Sequence, residues 1–134
     1  MYQSINLLPP LTESLSVVGT PIKGAGWSGQ TRGLHTFMVR ASNFQGRLGV
    51  QATLASLPLA ADWFSVLPDA APYWQYPQQP YIATVNPGET STLGFNYYGN
   101  VLWLRAVVDR DYLLASPLPC QIGGLGLVEI LVNF

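Results

Sequence analysis

The chain has 134 residues and a formal net charge of −1; 49% of it is hydrophobic and only 10% charged. Its length suits one domain with a real core, and Lys23 and the scattered arginines form no basic stripe, which argues against a nucleic-acid partner. Ordinary globular chains carry about 25% charged residues, so much of this surface is expected to be covered by neighbours, in a homo-oligomer or against a partner protein.

The N-terminal stretch, 1–11, reads as an extended arm closed by Pro9-Pro10, with Tyr2, Ile5, Leu7 and Leu8 in need of burial on its own domain or on a neighbour. It has no basic n-region, so it is not a secretory signal. No apolar run approaches the roughly 18 residues of a membrane span, and the nearest, Leu102 to Val108, is interrupted by Arg105. From residue 12 the rest reads as a single β-sandwich domain. A short strand is expected near Ser16–Val18, followed by a glycine-rich loop through Gly33.

Leu34 to Ala41 alternates with Phe37, Val39 and Ala41 on one face, and Leu48, Val50, Ala52 and Leu54 alternate after a turn at Ser42–Arg47. With Gly46 in a left-handed position, this reads as a hairpin that sets Val39 against Val50, Phe37 against Ala52 and Arg40 against Gly49. A short strand is expected at Asp62–Val66 after a bend at Pro58. Residues 67–80 hold four prolines with Tyr73, Trp74 and Tyr76, which reads as an extended aromatic loop. A strand at 81–85 and a turn at 86–88 lead into the clearest pattern in the chain.

That pattern is Leu93 to Asp109, read as a second hairpin with a type II′ turn at Gly99-Asn100. Its register sets Tyr97, Phe95 and Leu93 opposite Leu102, Leu104 and Ala106, with Trp103 and Arg105 on the other face. Residues 116–124 read as loop, and Leu127 to Phe134 closes the domain with Val128, Ile130, Val132 and Phe134 on one side. No segment carries long helical spacing. The fold expected is all-β, a single antiparallel β-sandwich of jelly-roll type with little helix.

Candidate chemistry is sparse. Gly24-Ala25-Gly26-Trp27-Ser28-Gly29 matches GxGxxG, but a strand follows it where a dinucleotide site needs a helix. His35 is the only histidine and alternates with Phe37 and Val39, which reads as a packing residue rather than a triad base. One His and one Cys, Cys120, cannot hold zinc, and the lone cysteine forms no intrachain disulfide. Asp109-Arg110-Asp111 reads as a solvated strand end in preference to a calcium site, and Glu129 as a partner for Arg40 or Arg105. Neither an enzyme, a metal site nor a cofactor is expected. The candidate interaction surface is Tyr73, Trp74 and Tyr76 of the aromatic loop, with Tyr2, Ile5 and Leu7 of the arm.

Several pieces occur in an order that resembles a β-sandwich structural domain of tailed-bacteriophage virion proteins, with the nearest likeness in phages of cyanobacteria. They are Gly33-Leu34-His35-Thr36, Asn43-Phe44-Gln45-Gly46, Gln51 to Ala55, Asp62-Trp63-Phe64, Gly99 to Ala106 and the terminal strand. The resemblance spans about Gly24 to Phe134 and leaves out residues 1–11 and 67–80. It implies a virion component without catalysis, a head decoration, neck, tail, baseplate or fibre part that assembles with other virion structural proteins. The alternative expectation is a carbohydrate-binding module on a virion appendage, touching host glycan through the aromatic loop.

Overall fold

Alternation with a period of two marks the buried residues and so sets the strands. The computed structural model describes residues 4–8, 16–28, 33–69, 71–76, 89–110 and 127–134. Its strands are β1 (Ile5–Asn6), β2 (Ser16–Val18), β3 (Ile22–Lys23), β4 (Leu34–Phe44), β5 (Gly46–Thr53), β6 (Phe64–Ser65), β7 (Trp74–Tyr76), β8 (Glu89–Tyr98), β9 (Trp103–Asp109) and β10 (Leu127–Asn133), with 3₁₀ turns at Ala25–Ser28 and Ala60–Asp62. The expected strand at 81–85, the turn at 86–88 and the loop at 116–124 lie outside the described residues. Among the described residues no helix is long and apolar enough to cross a membrane.

Two antiparallel sheets form a sandwich. The first runs β1-β10-β4-β8, and the second runs β2-β9-β5-β6, with β3 also on β9 and β7 also on β5. β2 and β3 share one edge of β9, and β6 and β7 share one edge of β5, so each pair fills one strand position. Counted that way, the strand orders are 1-8-3-6 and 2-7-4-5, the connectivity of a jelly roll. The inner faces supply the core: Phe37, Val39 and Ala41 with Val128, Ile130 and Val132 from the first sheet, and Leu48, Val50, Ala52, Leu104, Ala106 and Val108 from the second.

Both expected hairpins are corrected by this topology. β4 pairs with β8 and β10, while β5 pairs with β6, β7 and β9, so Val39 lies beside Leu93 and Ile130 and not beside Val50. Likewise β8 and β9 belong to opposite sheets, and the expected pairs of Phe95 with Leu104 and Leu93 with Ala106 do not form. Arg40 sits between Thr92 and Glu129, and its Nη2 lies 3.5 Å from Glu129 Oε1, as the expected Arg40–Glu129 partnership requires. Most of the expected apolar faces are inward, but Leu54 and Leu93, expected on them, are exposed, and the faces do not meet as expected. They stack across the sandwich, which satisfies the same alternation as pairing side by side.

The crossings have local causes. Between β4 and β5 the ladder shifts register at Ala41–Phe44, Asn43 takes φ 49°, and Gly46 takes φ 149°. A Cβ on Gly46 would stand 2.6 Å from Cγ of Arg110, so the glycine makes room for that side chain. Arg110 is therefore buried, against the expectation of a solvated strand end. Between β8 and β9, residues 99–102 are held by the glycine-rich segment. Gly24 N–H donates to Leu102 O (2.8 Å), Gly26 N–H to Val101 O (2.9 Å), and Gly99 N–H to Gly33 O (2.9 Å). A Cβ on Gly24 would meet Val101 O at 2.5 Å, and one on Gly26 would meet Asn100 O at 2.6 Å. Gly24 and Gly26 of the GxGxxG stretch thus serve close backbone approach.

The two segments that the resemblance leaves out join the sandwich through their described residues 5–8 and 74–76. Ile5–Asn6 pairs with Val132–Leu131 at the sheet edge, Leu7 N–H donates to Ile130 O (2.9 Å), and Leu7 and Leu8 are buried. Trp74–Tyr76 extends the second sheet beside Gly46–Leu48. Prolines on either side permit this because the strand is an edge.

Leu104 is fully buried on β9. Leu104→Ala is expected to lower the unfolding free energy by about 2–5 kcal/mol, read from urea denaturation, whereas a loss near 0.5 kcal/mol or less would be that of an ordinary surface position and would contradict this placement.

Candidate functional site

His35 is fully buried beneath the 99–102 crossing, with Phe37, Tyr97 and Phe134 around its ring. Its Nε2 accepts the Ala25 N–H at 3.1 Å, and its Nδ1 lies 2.9 Å from Gly33 O. The first bond makes Nε2 an acceptor, so Nδ1 carries the proton and donates to Gly33. Both ring nitrogens are engaged by backbone, which bears out the reading of a packing histidine. Among the described residues no three His, Cys, Asp or Glu side chains gather as a metal site would require.

The polar chemistry lies on the outer face of the second sheet. Outward positions of β5 and β9 form rows: Arg47 beside Asp109, Gly49 beside Val107, Gln51 beside Arg105, and Thr53 beside Trp103. Arginines occupy two of these rows, and each is fixed in the same way. The Arg105 guanidinium lies 4.1 Å over the Trp63 ring, and its Nε donates to Gln51 Oε1 at 2.8 Å. The Arg47 guanidinium lies 4.8 Å over the Tyr73 ring, and its Nε donates to Gln75 Oε1 at 3.4 Å. Stacking plus one Nε bond fixes the plane of a guanidinium, and its apolar stem covers the sheet. A third cation, Lys23, lies 5.1 Å over Trp27, which meets Trp103 edge-on at 5.5 Å.

The middle row, Gly49 and Val107, is low between two taller polar rows. The edge strand is also interrupted there: β6 ends at Ser65, Val66 N–H donates to Val50 O, and pairing resumes at Trp74 beside Leu48. Residues 67–69 and 71–73 lie off the ladder, so Pro72 and Tyr73 form a side wall opposite Gly49. The result is an open cleft of about 280 Å³ lined by Arg47, Gly49, Gln51, Tyr73, Val107 and Asp109.

At the far end of β5 an apolar loop stands out. Leu54, Leu57 and Leu59 are 65%, 88% and 74% exposed, with Phe64 and Trp27 also exposed. The loop backbone is nonetheless tied down. Ala55 N–H donates to Thr53 Oγ1 (3.0 Å), Trp103 Nε1 donates to Ser56 O (3.1 Å), and Leu59 N–H donates to Asp62 Oδ2 (2.7 Å).

The sequence-predicted surface is divided by the fold. Tyr76 is buried edge-on to Phe44, and Trp74 packs edge-on against Phe95 at 5.4 Å and donates to Asp69 Oδ1 at 3.4 Å. Burial, with the nearby charge of Glu89, pushes the Tyr76 hydroxyl up to about 12. Tyr73 keeps an exposed ring, as does Ile5 its side chain; Leu7 is core, and Tyr2 lies outside the described residues. The leucine loop and the Arg47–Asp109 cleft were not singled out from the sequence. Leu54, expected to continue the inward alternation of β5, is exposed instead; the signal lay shortly after it in Leu57-Pro58-Leu59, an apolar run broken by proline. The cleft carried none, because it depends on which strands lie side by side.

Comparison with protein-family models, with curated proteins and with solved structures found no match to this chain.

Burial holds the His35 pKa below its ordinary 6.5, only partly offset by its backbone hydrogen bonds. Below pH 6.5 the unfolded chain takes up this proton before the folded chain does, so the folded state loses stability. The denaturation midpoint of the wild type is expected to fall between pH 7 and 5, and His35→Gln is expected to flatten that dependence.

Proposed function

We propose that this chain is a structural subunit of a tailed-phage virion that works by protein–protein assembly. The observation that carries the reading is the leucine loop: three large apolar side chains held out to solvent on a backbone fixed by its own hydrogen bonds. Exposed leucines on a fixed loop lose little further freedom on docking, which favours association. The low charge content of the chain supports the same reading, since a free monomer gains little solubility from its surface. The ordered resemblance over Gly24 to Phe134 supports the virion setting, and a jelly roll is an architecture that capsid proteins use, although the fold alone does not assign the role.

A stable contact centred on this loop buries at least about 1,000 Å² in total. Leu57→Asp is expected to leave thermal stability within about 0.5 kcal/mol of wild type and to abolish incorporation into particles, scored by mass spectrometry of purified virions. Particles that incorporate the variant at wild-type level, or that lack the wild-type protein altogether, would contradict the proposal.

A further inference from the structure

Beyond assembly, we propose that the cleft over Gly49 binds a neutral pyranose unit of a glycan. Its floor is made by an absent side chain. Gly49 lies between Arg47 and Gln51 on the same face of β5, and a Cβ there would stand 3.3 Å from Pro72 O. Its wall is Tyr73, 41% exposed, set beside Pro72. Pyranose C–H groups carry slight positive charge and are attracted to the negative face of an aromatic ring.

The ridges supply both kinds of hydrogen-bonding partner. Arg47 and Asp109 are direct cross-strand neighbours at one end of the cleft, placing guanidinium donors beside carboxylate acceptors. Adjacent sugar hydroxyls both donate and accept, so such a pair can serve two of them at once. Gln51 stands at the other end. Its Oε1 accepts from Arg105 Nε, which turns its amide nitrogen into the group able to donate to a ligand. The arginine planes are set in advance by Tyr73 and Trp63, so binding does not have to order them. A phosphate or an acidic sugar would meet the Asp109 carboxylate on the ridge, which selects a neutral ring. The volume, about 280 Å³, lies at the small end of ligand sites, which begin near 300 Å³, and suits one sugar unit with its neighbours running along the open face.

The test is saturation-transfer difference NMR on the full chain with the methyl pyranosides of glucose, galactose and mannose, together with an array of neutral and acidic oligosaccharides. Transfer from at least one neutral pyranoside is expected. Affinity for the best neutral oligosaccharide is expected to fall about tenfold or more in Arg47→Met and in Asp109→Asn, and also in Gly49→Ala, with the melting temperature shifted by less than about 2 °C. Should any of these variants destabilise the fold, Tyr73→Ala, which alters an exposed ring, carries the comparison and is expected to show the same loss. No neutral binding in either assay, binding confined to acidic glycans, or neutral binding that these variants leave at wild-type strength would overturn the proposal. None of those results bears on the leucine loop, so the assembly reading stands or falls separately.

Discussion

Carrying the backbone from one sheet to the other at residues 99–102 frees polar groups that neither ladder can satisfy, and buried backbone groups must be paired. The chain meets this need with its glycine-rich segment. Gly24 and Gly26 come close enough to donate to Leu102 and Val101, and Gly33, at φ 60°, accepts from Gly99. A Cβ on Gly33 would lie 2.7 Å from backbone of Gly99, so the approach has no room for a side chain. His35 completes the arrangement from below by bonding Ala25 and Gly33, the two ends of the same segment. This crossing decides that β8 and β9 enter different sheets. The core follows, because Phe95 then faces the second sheet and Leu104 the first.

The outer face of the second sheet follows the same rule of fixing polar groups with nearby structure. Arg105 is held below its usual pKa by partial burial, yet a guanidinium remains charged at any ordinary pH. Stacked on Trp63 and bonded to Gln51, it is both a cover for the sheet and a fixed donor. Lysine in its place would keep the charge but lose the planar stack and the Nε bond. Arg47 repeats the device with Tyr73 and Gln75. In both cases the strand supplies the cation and a connecting segment supplies the ring, so the connections are tied to the sheet by these pairs.

Most inward residues were legible from the sequence, Leu54 and Leu93 excepted, and which strands lie together was not. Phe37, Val39, Ala41, Leu48, Val50 and Ala52 are all buried as their alternation requires. But alternation fixes a side chain's face and says nothing about whether the next strand lies beside it or across from it. In a jelly roll most successive strands lie across, so a short polar connection such as Gly99-Asn100 mimics a hairpin turn. The same ambiguity hid the cleft. Arg47, Asp109, Gln51 and Arg105 are far apart in sequence and meet only through the β5–β9 register. Trp74 and Tyr76 misled for a related reason: prolines around them suggested a free loop, and a three-residue edge strand was enough to turn Tyr76 into the core.

The two proposed functional features are compatible because of where β5 carries them. Leu54 follows the last residue of the strand, while Gly49 lies five residues earlier, roughly 17 Å along an extended backbone. Leu57 and Leu59 project further from that same end, on a loop pinned by Trp103 and Asp62. A partner seated on the leucines would cover the Thr53–Trp103 end of the outer face and leave the Tyr73 and Asp109 end of the cleft uncovered. Had the apolar loop been placed between β6 and β7, where Tyr73 is, docking would close the cleft. The interruption of the edge strand opposite Gly49 thus does two things: it builds the cleft wall, and it keeps that wall clear of the apolar end.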